Sequence, residues 1–331
     1  MKRIPSLDGL RAISIALVVG GHLANWGYAP QFLTRYSNLG VRIFFVISGY
    51  LITSILLGEH VRTGTISLRD FYIRRAYRIF PAAICFLLVV YLFYWHQLRW
   101  YEILATMFYL ANFLPYRLWI LGHLWSLSLE EQFYFLWPSV LKKWYRHRVM
   151  ILFGVILAAP IARTIFYFLK VTNGGYGNLL TVGDNLAAGC LLASIYPHLP
   201  KIGWKAAALM LVAVALIPLY HGDSRLRTVF ILFVLSPILH FSIAGIILHV
   251  VQHPYRLLNL APLVWLGNIS YSLYLWQQFF LDPSLIPSSR YGVLLAVAAA
   301  SLSYYLVEKP ILRARDRMFT ISQAKIATVA A

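Results

Sequence analysis

The sequence has little charge for its length. Of its 331 residues only 12% are charged and 60% are hydrophobic, whereas a soluble domain carries about 25% charged residues. Long apolar runs recur from residue 10 to residue 307, and no segment between them is long and polar enough to form a separate soluble domain. These features exclude a soluble globular protein and predict an all-α, polytopic membrane helical bundle.

Cysteine is also scarce. The two cysteines, Cys85 and Cys190, both fall inside apolar segments, a pattern that excludes a disulfide framework and a metal-ligand spacing. We therefore expect no metal ion, and we interpret both thiols as fillers of the helical core.

Acidic residues are few as well, with 11 Asp and Glu against 29 Lys and Arg and a net charge of +18. Such an excess can indicate nucleic-acid binding, but here the basic residues form short clusters between apolar runs. In a membrane protein such clusters set topology and contact anionic lipid. We therefore expect a lipid bilayer and no nucleic acid as partner. The first apolar stretch is too long for a signal peptide and has no small-residue cleavage site, so it reads as a retained helix.

The apolar runs define ten predicted spans, each near the roughly 20 residues that cross a bilayer. They cover residues 10–28, 39–57, 80–97, 123–141, 149–169, 182–196, 205–221, 227–249, 261–281 and 290–307. The segment 99–122 is ambiguous because its apolar run is short. If it is re-entrant, the basic clusters at 69–78 and 142–148 share one side of the membrane, as the positive-inside rule favours. We therefore predict a re-entrant element there, cytoplasmic termini, a membrane domain at 1–320 and a disordered tail at 321–331.

Two ionisable residues share one face of the first helix. Arg11 and His22 lie eleven residues apart, which turns a helix to about 20° past three full turns and separates them by roughly 16 Å along its axis. Asp8 falls on the same side of the helical wheel. Arg11 alone is equally well explained by contact with lipid headgroups, but an aligned set of ionisable residues in a membrane helix indicates a functional site.

An arginine cluster precedes the third span. Arg74, Arg75 and Arg78 serve as a topology signal in any case. Arg75 and Arg78 are also one helical turn apart, and two guanidinium groups so placed suit bidentate binding of phosphate groups. Both readings stay open from the sequence.

The span 123–141 carries unusual polarity. His123, Ser126, Glu130 and Tyr134 follow the spacing of a single helix face, whereas Glu131 points about 100° away. The two carboxylates either pair with basic residues of other helices or line a site, and we favour a site-lining role for Glu130 and a structural one for Glu131.

Two further features concern packing. Small residues around Ser48-Gly49 in the second span predict close approach of another helix. Asp184 is an isolated acid in its span, and we expect Arg163 to be its partner.

Six ordered motifs together resemble the acyltransferase-3 family of membrane acyltransferases, over about residues 5–315. The motifs are LDGLRAISIALVVGGH, GVRIFFVISGYLI, FYIRRAYRIFP, LWSLSLEEQFYFLWP, NISYSLYLW and LVEKPILR. The resemblance implies transfer of an acyl group, most often acetyl from acetyl-CoA, to hydroxyls of saccharides such as O-antigen, lipopolysaccharide or exopolysaccharide. Some members carry an SGNH-type domain, and we expect the O-acetyltransferase type without it.

The resemblance also implies roles for individual residues. It matches the family's catalytic histidine to His22, its arginine to Arg11, its Arg-x-x-Arg motif to Arg75 and Arg78, and its SLxxE element to Glu130 and Glu131. Many members have a histidine after the motif tryptophan, whereas Gln277 follows Trp276 here, so we place no catalytic role there. Our complete assignment is catalytic roles for His22, Glu130, Arg11 and Asp8, donor binding for Arg75, Arg78, Arg74 and Ser48, and acceptor binding for Glu131, Ser126 and Tyr271.

The expected mechanism runs along the first helix. Acetyl-CoA enters from the cytoplasm with its phosphates on Arg75 and Arg78, and its thioester arm passes Arg11 to reach His22. His22 acts as general base on an acceptor hydroxyl, or else carries the acyl group itself, and Glu130 orients it. The carbohydrate acceptor lies on the far side of a bacterial inner membrane, and a homo-oligomer is an open option. A proton-coupled transporter or flippase is the alternative, because buried charges also serve as proton relays.

Overall fold

The computed structural model describes residues 4–170, 177–220, 224–286 and 288–330, and all regular structure within these ranges is helical. The α-helices in chain order are α1 Pro5–Asn25, α2 Thr34–Thr63, α3 Leu68–Tyr94, α4 Trp100–Met107, α5 Trp119–Gly122, α6 Leu124–Lys143, α7 Arg148–Phe168, α8 Leu179–Ile195, α9 Trp204–Leu216, α10 Arg225–Phe230, α11 Ser236–Gln252, α12 Ala261–Asn268, α13 Ser270–Phe280, α14 Ser289–Leu302 and α15 Lys309–Ala330. The π-helical turns Ile231–Leu235 and Ser303–Glu308 join α10 to α11 and α14 to α15. The predicted all-α class is confirmed.

Seven helices of the described ranges are long and apolar enough to cross a membrane, namely α1, α2, α3, α7, α8, the joined α10–α11 and the joined α14–α15. Three other predicted spans fall short for different reasons. The 20-residue α6 contains Glu130, Glu131 and other polar residues, and α9 has only 13 residues. The span 261–281 is divided into α12 and α13 at Ile269. The polytopic bundle is confirmed, whereas the count of ten and the side of the termini stay predictions.

The segment 99–122 folds back against α6. Its helix α4 has 8 residues and α5 has 4, so neither reaches membrane-crossing length. Arg117 Nη1 donates to the Ala111 carbonyl at 2.6 Å and to the Leu114 carbonyl at 3.1 Å. Gln132 of α6 donates to the Tyr109 carbonyl at 2.8 Å. Side chains thus satisfy the irregular backbone, which is the condition for such a segment at membrane depth.

Helices α2 and α8 pack with their backbones in contact. A Cβ added at Gly49 would lie 2.1 Å from the Leu186 carbonyl oxygen, and one at Gly189 would lie 2.0 Å from the Val46 carbonyl oxygen. Each helix therefore supplies a glycine where the backbone of the other one touches it, and no larger residue fits. This confirms the predicted packing role of the Ser48-Gly49 motif.

A second close contact places α12 against the start of α1. A Cβ added at Gly267 would lie 2.0 Å from the Asp8 carbonyl oxygen, and one at Gly9 would lie 2.2 Å from the Leu258 carbonyl oxygen. Because α13 continues from α12 beyond Ile269, it runs beside the second half of α1. This register brings Gln277 next to His22.

A buried polar chain links α7, α8, α11 and α2. Arg163 Nη2 pairs with Asp184 Oδ2 at 2.8 Å, which confirms the expected partner of Asp184. The same carboxylate oxygen lies 3.3 Å from His240 Nδ1, and His240 Nε2 lies 2.9 Å from Arg42 Nη1. All four side chains lie within the bundle, where unpaired charge is costly.

At the carboxyl end, α15 continues through residues 321–330. The sequence analysis expected a disordered tail there. Residues 321–330 contain alanine, lysine and glutamine, which favour helix and let α15 extend. The domain boundary at residue 320 stays a prediction.

Candidate active site

An inner cavity of about 200 Å³ opens between α1, α2, α3, α6 and α13. It brings together seven of the residues that the sequence analysis assigned to the site: Arg11, Ser48, Arg75, Arg78, Ser126, Glu130 and Tyr271. Aromatic and aliphatic side chains complete the wall, among them Phe44, Phe45 and Tyr274. Asp8, His22, Arg74 and Glu131 do not line it.

Two of the cavity's arginines already have carboxylate partners. Arg75 pairs with Glu131 through two hydrogen bonds, one from Nη2 and one from Nε at 3.2 Å. Arg78 Nη1 lies 3.8 Å from Glu308 Oε2, and the Glu308 side chain is buried. Glu131 therefore pairs with Arg75, which fits the structural role favoured from the sequence. This geometry gives no support to an acceptor-binding role for Glu131, which stays a prediction. The looser Arg78 pair leaves more of its guanidinium available to a ligand.

Glu130 lies in the cavity wall and is held by two hydroxyl groups. Ser48 Oγ and the Tyr134 hydroxyl each donate to Glu130 Oε1 at 2.5 Å. The Arg75 guanidinium stacks over the Tyr134 ring at 3.7 Å from its centroid, so one carboxylate, two hydroxyls and a cation form a single unit. The expected contact between Glu130 and His22 is absent, because Gln277 occupies that position.

The remaining predicted residues divide between the mouth of the cavity and its exterior. Arg11 is half-buried in the cavity wall and interacts electrostatically with Asp8 and Glu130. Arg74 instead faces α15, with its guanidinium 4.8 Å from the centre of the Phe319 ring. Arg74 points about 100° away from Arg75 on the helix and does not line the cavity. Its assignment to donor binding stays a prediction.

His22 lies one layer beyond the cavity and is held by two glutamines. Its Nδ1 lies 2.7 Å from Gln277 Oε1, and its Nε2 lies 3.4 Å from Gln278 Nε2. Gln278 Oε1 accepts from the backbone N–H of His123 at 3.0 Å and from His123 Nδ1 at 2.8 Å.

These contacts determine the tautomer of His22. A backbone N–H can only donate, so Gln278 must direct its oxygen at His123 and its NH₂ group at His22. His22 Nε2 therefore carries the lone pair, and Nδ1 carries the proton that it donates to Gln277. The 3.4 Å contact is longer than an ordinary hydrogen bond, so the Nε2 lone pair accepts only a weak hydrogen bond from Gln278. A neutral imidazole oriented in this way is ready to accept a proton.

Hydrogen bonds connect His22 to the end of the inner cavity. The Tyr274 hydroxyl donates to the His123 carbonyl at 3.0 Å and lies 2.5 Å from Ser126 Oγ. Tyr274 and Ser126 both line the cavity, and His123 contacts Gln278. On the same side, Tyr271 donates to the Ile79 carbonyl at 3.0 Å and so attaches α13 to α3. The cavity thus ends at Tyr274 and Ser126. From there hydrogen bonds through His123 and Gln278 lead to His22.

Aromatic rings flank His22 on its other side. The Trp119 ring meets the His22 ring edge-on at 5.5 Å, and Trp26 meets Trp119 in the same way at 5.3 Å. Trp26 is exposed. Trp119 belongs to α5 in the folded-back segment, so that segment contributes directly to the surroundings of His22.

A larger, mostly apolar cavity of about 660 Å³ adjoins the inner one. The two share Arg75, Ile79 and Tyr134 as a common wall, and Phe108, Tyr109 and Phe113 of the folded-back segment line its far side. We refer to it as the lateral cavity.

Sequence reasoning missed Gln277, Gln278, Tyr274 and Glu308. The signal for the glutamines was present as a polar pair in the apolar run SYSLYLWQQFF. In the sequence Gln277 indicates only the absence of a histidine, although a side-chain amide can orient a neighbouring imidazole equally well.

Comparison with known proteins agrees with this arrangement. A sequence model of the acyltransferase domain, acyltransferase-3, matches residues 4–307. The chain is 30% identical to peptidoglycan O-acetyltransferase OatA of Listeria monocytogenes, over 94% of this chain and 56% of that protein. It is 31% identical to O-acetyltransferase OatA of Staphylococcus aureus, over 97% of this chain and 59% of that protein.

The chain thus spans under three-fifths of the length of these relatives. No solved structure matches it. Because the family match covers most of the chain, including the helices that carry Arg11, His22, Arg75, Arg78 and Glu130, the protein belongs to the acyltransferase-3 family.

Proposed function

We propose that this protein is a membrane O-acetyltransferase that moves an acetyl group from acetyl-CoA to a hydroxyl of a cell-surface glycan. The observation that carries the proposal is the orientation of His22, whose Nε2 lone pair is set by Gln277 and Gln278. It lies on the same helix as Arg11, which lines the arginine-rich inner cavity. A neutral base one hydrogen-bonded layer beyond an arginine-lined cavity suits acyl transfer from an anionic donor.

The inner cavity fits part of such a donor. Its volume of about 200 Å³ is below the roughly 300–1,000 Å³ of pockets that enclose a drug-sized ligand. It therefore suits a thioester arm, with the nucleotide outside the bundle. Arg78 and Arg11 are the arginines best placed for its phosphates, because Arg75 already holds Glu131 through two hydrogen bonds.

The reaction balances with one base. The acceptor hydroxyl gives its proton to His22 Nε2, its oxygen bonds to the acetyl carbonyl carbon, and the carbon–sulfur bond breaks. The proton then passes from His22 to the leaving thiolate. A route in which His22 Nε2 itself takes the acetyl group uses the same lone pair. Rapid quenching followed by peptide mass spectrometry would detect acetyl-His22 in that case alone.

The acceptor is best sought among saccharides. Trp26 and Trp119 lie on the side of His22 away from the inner cavity, and aromatic faces pack well against sugar rings. The Listeria relative is named as a peptidoglycan O-acetyltransferase. We therefore place peptidoglycan first among acceptors and lipopolysaccharide or another surface polysaccharide second. The location we propose is the bacterial cytoplasmic membrane.

The test uses purified protein in nanodiscs with radiolabelled acetyl-CoA and two acceptors, soluble peptidoglycan fragments and lipopolysaccharide. We expect labelled ester in one of them and a loss of about 10²- to 10⁴-fold in His22→Ala, the usual range for a general base. His253→Ala is the matched control, since His253 is an exposed histidine outside the site. Unaltered turnover in His22→Ala would refute the assignment. Saccharide uptake into sealed proteoliposomes without acetyl-CoA would support a transporter instead.

A further inference from the structure

Another arginine-lined cavity lies on a different face of α2 from the inner one. This outer cavity of about 270 Å³ lies between α2, α11 and the segments that follow α9 and α10. Its lining includes Arg35, Asn38, Arg42 and Ser236, and its other walls are mainly apolar. Gly40 of α2 packs against the Ser14 carbonyl of α1. Arg42 is two residues further and therefore about 200° around the helix, so it points away from α1, and it does not line the inner cavity.

The two arginines form a line from the mouth of the outer cavity to its floor. They are seven residues apart on one helix face, which separates them by about 10 Å along the axis. Arg35 is exposed and donates to the Leu219 carbonyl at 2.9 Å. Arg42 is half-buried and uses Nη1 for both of its described hydrogen bonds, to Ser236 Oγ at 3.1 Å and to His240 Nε2 at 2.9 Å. Its Nε and Nη2 groups make no hydrogen bond within the described part of the chain.

The charge of Arg42 is not balanced by the polar chain behind it. Arginine can only donate, so His240 Nε2 accepts from Arg42 and the His240 proton lies on Nδ1, facing Asp184. His240 is then neutral, and Asp184 is already paired with Arg163 at 2.8 Å. Two arginines against one aspartate leave one positive charge, and no acidic residue lines the outer cavity within the described ranges.

We propose that the outer cavity binds a phosphate group, independently of the acetyl-transfer reaction. A half-buried cation such as Arg42 is costly without a counter-charge, and its guanidinium has the geometry that binds phosphate in bidentate fashion. Leu39, Ile217, Pro218, Ile231 and Leu239 form the apolar part of the wall. A phosphate attached to a hydrocarbon chain therefore matches the lining better than a free ion does.

The experiment separates the two sources of phosphate. Native mass spectrometry of protein released from nanodiscs of phosphatidylcholine with phosphatidylglycerol counts the anionic lipid that stays bound. Thermal unfolding of the same protein in neutral detergent with added inorganic pyrophosphate tests the free ion. Three variants, Arg42→Gln, Arg35→Gln and Asn38→Asp, remove or oppose the positive charge of the cavity. Because Arg35 and Asn38 are exposed, their variants keep the fold even if Arg42→Gln does not. Arg225→Gln replaces an exposed arginine outside the cavity and is the control.

We expect lipid retention to fall about tenfold in the cavity variants, which corresponds to the loss of one hydrogen bond to a charged group. Retention in the Arg225→Gln control should equal that of the wild type. Stabilisation by pyrophosphate alone, lost in the same variants, would assign the cavity to a soluble phosphate. Equal binding of both probes to the wild type, Arg35→Gln and Asn38→Asp would overturn the proposal. Neither readout requires acetyl transfer, so the result stands apart from the test of His22.

Discussion

The inner and outer cavities are both lined by arginines, but carboxylates balance the arginine charge only in the inner one. In the inner cavity Arg75 and Arg78 each have a carboxylate partner, and Glu130 lies in the same wall. In the outer cavity Arg42 hydrogen-bonds, among the residues that the structure describes, to a serine and a neutral histidine. An arginine that lines a cavity is therefore not by itself a ligand site. Its remaining donors and its charge balance decide whether it supports the fold or is available to an anion.

The largest effect should come from breaking the balanced pair of the inner cavity. Glu131→Gln leaves Arg75 without its partner, and we expect the free energy of unfolding to fall by about 3 kcal/mol because an unpaired, mostly buried cation remains. Denaturant unfolding in mixed micelles measures it. The double variant Arg75→Gln with Glu131→Gln removes both charges and should recover most of the loss. A double variant no more stable than Glu131→Gln would show that the pair is not the source of the effect.

The next effect concerns the connection from the inner cavity to His22. Gln277→Leu removes the acceptor of the His22 Nδ1 proton, so the imidazole can turn or change tautomer. We expect kcat for acetyl transfer to fall about 10- to 100-fold while KM for acetyl-CoA stays constant, because a base rather than donor binding is affected. Steady-state kinetics measure both constants. Gln97→Leu, at an exposed glutamine, should leave both constants unchanged, and an increase in KM for Gln277→Leu would place Gln277 in donor binding.

A smaller effect separates the arginines within the inner cavity. Arg78→Gln should raise KM for acetyl-CoA about tenfold at constant kcat, because the 3.8 Å contact with Glu308 leaves this guanidinium for phosphate. Arg69→Gln, at an exposed position on the same helix, is the control. Isothermal titration with CoA gives the binding side directly. Equal CoA affinity in wild type and Arg78→Gln would show that the phosphates bind elsewhere.

The smallest effect belongs to the aromatic side of His22. Trp26→Ala should raise KM for the saccharide acceptor about fivefold, since stacking of an aromatic pair contributes roughly 1 kcal/mol. Trp100→Ala removes a more exposed tryptophan outside this group and should have no effect on that constant. Acceptor titration at saturating acetyl-CoA measures both. If the two variants behave alike, Trp26 serves the membrane interface and not the acceptor.

Much of this arrangement could be predicted because helix periodicity reports which residues share a face. Arg11, Ser126, Glu130 and the Arg75–Arg78 pair line one cavity, as their shared faces predict, and Arg163 is the partner of Asp184. Periodicity does not report which helix a face meets. Arg74 therefore could not be foreseen to pack against α15 while Arg75 lines the cavity.

The partners of His22 could not be predicted for the same reason. Gln277 is 255 residues away along the chain and reaches His22 because the backbones of α1 and α12 touch at Gly267. A single apolar run from 261 to 281 also conceals the break at Ile269, which sets the direction of α13. Such contacts depend on the packing of the whole bundle.

The hydrogen bond from the backbone N–H of His123 to Gln278 has a consequence for heredity. A main-chain hydrogen is supplied by every amino acid except proline, so this donor survives almost every codon change at position 123. The second hydrogen bond to Gln278 comes from Nδ1 of the buried His123 side chain and is lost with that side chain. The proton position on His22 thus rests on one donor that is inherited with the path of the chain and on one that is inherited with the codon.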